Sequence, residues 1–158
     1  MTNVDANVVE ALFRVHYRAL RAFAAGISPG DPDDSVQEAL VRLFSRVSET
    51  PVEDPIAYLR RTIANIAIDN ARRERSNRKA LERVAGAGTT TFTPFPSDVS
   101  ELMALDPVSR PLVYLVEIEG APIAEAATIV GCNQAAARMR LSRARKKLWA
   151  LMDEGKLP

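Results

Sequence analysis

The chain has 158 residues, and its 21 Lys and Arg against 20 Asp and Glu leave a formal net charge of +1. That length suits one ordinary domain or two small ones, and 47% apolar with 26% charged residues is the composition of a globular protein rather than a disordered or fibrous one. No uncharged apolar run is long enough for a transmembrane helix, the acid-bearing N-terminus lacks the pattern of a secretory signal, and the single Cys132 and His16 exclude an internal disulfide framework and a Cys/His zinc site.

Helical periodicity runs through the chain, and no stretch alternates with period two. Val9, Phe13, Tyr17, Leu20 and Phe23 recur at spacings of three and four, so residues 7–24 read as an amphipathic helix, with Gly26 as its terminator. Asp31-Pro32-Asp33-Asp34 opens the next helix. Asp31 caps it, Pro32 fits the first turn, and the acids complement the helix dipole. Val36, Leu40, Leu43 and Val47 form its apolar stripe. A similar signal at Asp54-Pro55 starts a long helix over 55–75, with a weaker continuation to 84.

Residues 86–97 carry two Gly, two Pro and five Ser or Thr with no periodicity, and read as a linker. Its Phe92 and Phe95 are expected to pack on either domain, with docking onto a partner as the alternative. Beyond it, Leu102 and Leu105 mark a short helix. A third Asp-Pro pair, Asp106-Pro107, opens a helix over 107–119, with Pro111 forcing a later start or a bend. Pro122 opens a helix from Ile123 to Val130 that Gly131 ends. Asn133 caps a final helix over 134–152, whose stripe is Ala137, Leu141, Ala144, Leu148 and Leu151.

The near-neutral charge is distributed in blocks. Residues 1–54 have a net charge of −4, residues 55–83 of +5, residues 84–137 of −5 and residues 138–158 of +5. Each positive block trails a helical apolar pattern, which suggests two faces able to bind a polyanion. The turn at Gly131 makes the last two helices a helix-turn-helix, with Ala124, Ala126 and Ala127 permitting a close crossing. The final helix then presents Arg138, Arg140, Arg143, Arg145, Lys146 and Lys147, which mostly flank or oppose the apolar stripe, to nucleic acid. Asn133 and Gln134 stand at its N-terminal end, suited to base or phosphate hydrogen bonds. Tyr58, on the long helix, is a candidate platform for an unpaired base, although core packing beside Leu59 and Ile63 is its plainer role. The residues thus give an all-α protein of two small helical domains that binds DNA. A helix-turn-helix regulator acting without polymerase stays open at this point. An acidic metal site at Asp31, Asp33, Asp34 and Glu38 is the weaker alternative, since capping explains those acids. No cofactor is implied, and no enzyme is expected.

Two motif runs narrow the choice. The segment Asp34-Ser35-Val36-Gln37-Glu38-Ala39-Leu40-Val41-Arg42-Leu43-Phe44 resembles the opening domain of extracytoplasmic-function (ECF) sigma factors, as do Ala57-Tyr58-Leu59, Asn65-Ile66-Ala67-Ile68-Asp69 and Arg72-Arg73. The closing run Arg140-Leu141-Ser142-Arg143-Ala144-Arg145-Lys146-Lys147-Leu148 resembles the family's promoter-reading helix-turn-helix. The single cysteine favours a reducing, cytoplasmic setting, and the resemblance implies a transcription initiation subunit with three parts: residues 1–84 for polymerase and the −10 element, a linker over 85–100, and residues 101–158 for the −35 element. It further implies that Asp34, Val36, Gln37, Glu38 and Leu40 serve docking on core RNA polymerase. The loop 45–54 with Tyr58, Asn65 and Asp69 would capture unpaired −10 bases, and Arg60, Arg61, Arg72 and Arg73 would hold phosphates nearby. Gln134, Arg138 and Arg140 would lie nearest the −35 bases, and an anti-sigma factor is an expected partner. The successive alanines Ala135 to Ala137 leave few side chains for base readout, so upstream specificity is expected to rest on shape and phosphates.

Overall fold

The structure is a computed structural model, described here for residues 6–85 and 100–154. Among these residues there is no strand. Six α-helices account for most of them: α1 (Ala6–Ile27), α2 (Pro32–Glu49), α3 (Pro55–Ala85), α4 (Ser109–Val113), α5 (Ile123–Val130) and α6 (Gln134–Asp153). A 3₁₀ turn over Ser100–Ala104 precedes α4, and a wider π-type winding over Tyr114–Ile118 follows it. The expected linker, with Phe92 and Phe95, lies outside the described residues.

Start signals act as the sequence indicated. The Asp31 side chain accepts from the Asp33 amide at 2.9 Å and that of Asp54 from the Ala57 amide at 3.0 Å. Each precedes a proline in the first turn, where a missing N–H costs nothing. Asn133 accepts from the Ala136 amide at 2.7 Å, and Gly131 closes α5 at φ 84°, a conformation that favours glycine.

Two expectations needed correction. Helix α1 does not stop at Gly26: the Ser28 amide donates to the Ala24 carbonyl at 3.2 Å, and Ile27, buried in the core, holds the last turn in place. The expected helix over 107–119 begins two residues late and changes pitch. Asp106 accepts from the Ser109 amide (3.2 Å) and hydroxyl (2.6 Å), so α4 starts at Ser109 and Pro111 falls in its first turn. After Val113 the winding widens, with the Glu119 amide reaching the Tyr114 carbonyl at 3.1 Å and the Ala121 amide the Leu115 carbonyl at 2.8 Å. Pro111 to Leu115 are buried without a break, so this segment has no solvent side.

Helices α1, α2 and α3 pack against one another around Leu20, Phe23, Val36, Leu43, Leu59 and Ile63, and α4, α5 and α6 around Leu112, Leu115, Ala126, Ala137 and Leu141. Each large aliphatic side chain removed from water contributes about 1.5–3 kcal/mol before entropy is counted. The two groups of helices share one apolar core, because α5 also packs on α3 and α4 on α1. At this seam the Phe23 and Tyr114 rings lie 5.4 Å apart, and the Arg60 guanidinium sits 5.9 Å from the Phe23 centroid while pairing with Glu119. Burial raises the Tyr114 phenol above its ordinary pKa, and the Glu119 charge adds to that against Arg60.

Candidate nucleic-acid interface

Three surfaces gather the residues singled out in the sequence. The first is a cleft of about 460 Å³ where the end of α2 and its following loop face the start of α3. Because Asp54 and Pro55 fix where α3 begins, Tyr58, Arg61 or Thr62, and Asn65 follow at spacings of three and four and share one helix face. The loop supplies Pro51 and Val52, and α2 supplies Arg42 and Arg46. The Thr62 hydroxyl donates to the Tyr58 carbonyl at 2.8 Å, so it is engaged within the helix. The cleft therefore offers an aromatic face, an exposed amide and guanidinium groups, a set suited to stacking, edge hydrogen bonds and phosphate contacts.

Tyr58 packs half-buried against the core, its plainer role, and also lines the cleft. Arg61 and Asn65 are brought together with it. Arg60 is not, since it is held in the seam by Glu119 and Phe23. Asp69, Arg72 and Arg73 are exposed farther along α3, beyond the cleft. The loop expected over 45–54 is shorter than that, because α2 continues to Glu49, so Arg46 reaches the cleft from the helix, as does Arg42, which the sequence reading did not place there. Their signal was a spacing of four on α2, off the Val36/Leu43 stripe.

The second surface is α6. Alanines 126 and 127 on α5 face Ala137 and Leu141 in the core, which brings the two helices close; Ala124, expected at the crossing, is exposed. With Ala137, Leu141 and Ala144 inward, Gln134, Arg138, Arg143 and Lys146 stand exposed. Arg140 is half-buried, 3.6 Å from the Asp106 carboxylate, and Arg145 pairs with Glu117. Partial burial pushes the Asp106 carboxyl up, but the Ser109 hydroxyl and amide bonds and Arg140 outweigh it and hold it below the usual carboxylate range.

The third surface is the outer side of α2. Asp34, Gln37 and Glu38 are exposed, and Glu38 pairs with Arg42 at 2.5 Å. Val36 corrects an expectation: at 0% exposure it belongs to the core and has no surface to offer a partner. Leu40 is half-buried, and the exposed apolar side chains beside it are Val41 and Phe44, which the stripe pattern had set aside. The acids once weighed as a metal site have other work. Asp31 caps α2, while Asp33 accepts from the Tyr17 hydroxyl, which raises the Tyr17 pKa, and pairs with Arg21, which acts in the other direction. Among the described residues no group of three His, Cys, Asp or Glu is arranged to hold a metal ion, and no helix is long and apolar enough to cross a membrane.

The family models "Sigma-70 region 2" and "Sigma-70, region 4" match residues 12–77 and 100–148. The ECF RNA polymerase sigma factor EcfG of Rhodopseudomonas palustris is 31% identical over 146 residues, covering 85% of this chain and 79% of that protein. The ECF RNA polymerase sigma factor SigM of Mycobacterium tuberculosis is 27% identical over 154 residues, covering 94% and 79%. Among solved structures, CnrH in complex with the cytosolic domain of CnrY is similar with a TM-score of 0.66 and 31% identity, over 95% of this chain and 90% of that one. RpoE of Bartonella quintana, solved with the anti-sigma factor NepR, shares the fold with a TM-score of 0.69 at 22% identity, over 91% and 96%. With sigma-70 family matches on both helical units and this similarity to a curated relative over most of both chains, the protein belongs to the ECF sigma factors, RNA polymerase subunits that direct transcription initiation.

Proposed function

We propose a residue-level division of labour for this sigma factor. Residues 1–84 engage polymerase and the −10 element, residues 101–158 engage the −35 element, and residues 85–100 link them. Asp34, Gln37, Glu38 and Leu40, joined by Val41 and Phe44, form the docking face for core RNA polymerase. The cleft of α2 and α3 accepts an unpaired −10 base on Tyr58, with Asn65 at its edge and Arg61, Arg42 and Arg46 toward the backbone. Asp69, Arg72 and Arg73 extend that surface along α3. Helix α6 enters the major groove at −35, with Gln134 and Arg138 toward the bases and Arg143 and Lys146 toward phosphates.

The observation that carries this reading is the convergence of an aromatic side chain, an amide and three arginines on one cleft of about 460 Å³. A helix-turn-helix regulator acting alone would need neither that cleft nor the polar outer face of α2. The protein works in the cytoplasm, where polymerase is. Because two structural relatives were solved with CnrY and with the anti-sigma factor NepR, an anti-sigma factor is the expected inhibitor. The test is to sequence DNA recovered with the protein-bound polymerase and then to run off transcripts from it with purified core enzyme. Initiation dependent on the protein and on both promoter elements is expected. Absence of initiation on every recovered sequence would overturn the assignment.

A further inference from the structure

We propose that the cavity between the middle of α3 and the segment leading into α4 binds a small oxyanion, a carboxylate or a phosphate, which holds the two groups of helices together and so opposes promoter engagement. The site itself goes beyond the DNA contacts assigned above. Only its effect on initiation rests on that reading.

The cavity measures about 230 Å³, below the range of about 300–1,000 Å³ that takes drug-sized ligands. One wall is a single stripe of α3, where Ala67, Ala71, Glu74 and Arg78 recur at spacings of three and four. The opposite wall is Met103 of the 3₁₀ turn with Pro107 and Arg110. An occupant therefore touches both groups of helices.

The polar groups select its chemistry. Arg110 is half-buried, its Nε donating to the Leu105 carbonyl at 3.0 Å and its Nη2 to the Met103 carbonyl at 3.3 Å. Those bonds fix the guanidinium and use two of its five N–H groups. Among the described residues no carboxylate pairs with it: Asp106 and Glu74 attract it from beyond ion-pair range, and burial outweighs them, holding its pKa below the ordinary value. A half-buried cation whose desolvation its neighbours do not offset is a seat for an anion. Arg78 adds a second guanidinium and Asn70 an amide. The Ser28 hydroxyl accepts from the Gly30 amide at 3.4 Å and keeps its own proton to donate. Against these donors stands one carboxylate, Glu74. The surplus of donors and of positive charge suits an oxyanion, which a guanidinium binds through two parallel hydrogen bonds.

Position gives the occupant its effect. The −10 and −35 elements lie about 25 base pairs apart, roughly 85 Å along a straight duplex. Helices that share one core, with the Phe23 and Tyr114 rings 5.4 Å apart across the seam, cannot serve both elements at once, so the seam parts on the promoter. A ligand gripped from both sides binds the packed arrangement and shifts the population toward it.

The test titrates the full-length protein by calorimetry with sodium succinate and, separately, with inorganic phosphate, at constant ionic strength. Saturable binding with a dissociation constant below about 10 mM is expected for at least one of them. Tighter succinate assigns a dicarboxylate ligand, and tighter phosphate a phosphoryl one. Arg78→Gln removes an exposed donor, and Ala71→Leu fills the cavity with a good helix former. Each should weaken binding about ten-fold or more, whereas Glu74→Gln should tighten it about three-fold. Added with core polymerase to a recovered promoter, the parent should open it more slowly in the anion's presence, and Ala71→Leu should not. No saturable binding, or equal binding by the parent, Arg78→Gln and Ala71→Leu, overturns the site. Selective binding with initiation unchanged by the anion keeps the site and overturns its action on the promoter. Because calorimetry needs no DNA, failure to initiate even without the anion tells against the function proposed above and not against the site.

Discussion

The two basic helices, α3 and α6, carry similar charge but hold it differently. On α3 the core contacts end near Ile68, and Arg72, Arg73, Arg75, Arg78, Lys79 and Arg83 continue along an exposed helix with no ion-pair partner among the described residues. On α6 the buried stripe runs beneath the basic residues. Arg140 leans toward Asp106, just ahead of α4, and Arg145 toward Glu117, in the wide winding after it. A basic extension free in solvent is suited to adjust to a flexible single strand. A basic helix pinned by a core and by fixed acids is suited to a groove of set dimensions. The same composition thus serves two kinds of DNA contact, and packing separates them.

The largest expected effect tests that separation by stability. Leu141→Ala removes a fully buried anchor of α6 and should cost about 2–5 kcal/mol in chemical denaturation. Leu81→Ala, on the exposed end of α3, should stay within about 0.5 kcal/mol. Equal losses would mean that α3's extension is packed after all. Next in size, Tyr58→Ala should remove a base-stacking platform worth about 1–3 kcal/mol, a loss of roughly 5–150-fold in open complexes by permanganate footprinting with polymerase binding retained. Unchanged strand opening would move base capture away from the cleft.

The seam comes third. Glu119→Gln leaves the Arg60 guanidinium, mostly buried against Phe23, without its counter-charge, and should lower stability by about 1–3 kcal/mol. A double variant with Arg60→Met should recover part of that loss, and additive losses would deny the coupling. Asn133→Ala removes the α6 cap at a cost of about 1 kcal/mol, read as a lower midpoint in the same denaturation series. The smallest effect is in pH. Asp106 has a folded pKa below its unfolded value, so its contribution is fully present above the ordinary carboxylate range and fades as pH falls through the lower, folded value. Asp106→Asn should flatten that acid limb, and an unchanged limb would remove Asp106 as its source.

Much of this molecule was readable from local chemistry. Asp31-Pro32, Asp54-Pro55, Gly131 and Asn133 mark helix ends through bonds that form within a few residues, and the apolar stripes of α2 and α6 follow the helical period. Tyr58, Arg61 and Asn65 were legible for the same reason, since one short helix face carries them. Other features were not legible because distant segments decide them. Gly26 looked like a terminator until Ile27 found a core to enter. Val36 stood both in the apolar stripe of α2 and in the docking set that the resemblance implied, and packing against α1 and α3 decides for the stripe by enclosing its side chain. Arg60 and Arg61 are neighbours in sequence, and adjacent helix positions point about 100° apart, so one meets Glu119 in the seam while the other opens on the cleft.

The sequence by itself determined the helices, their caps, the helix-turn-helix and the two blocks of positive charge, because each depends on residues a few positions apart. Tertiary structure alone decided which positive charges are free, since ion pairs such as Arg60–Glu119 and Arg140–Asp106 join residues far apart in the chain. It also decided the wide winding after Val113, where Tyr114 and Leu115 enter the core while Glu117 and Ile118 stay exposed. Local bonds set each element's form, and the neighbours brought by folding set the partner that each side chain meets.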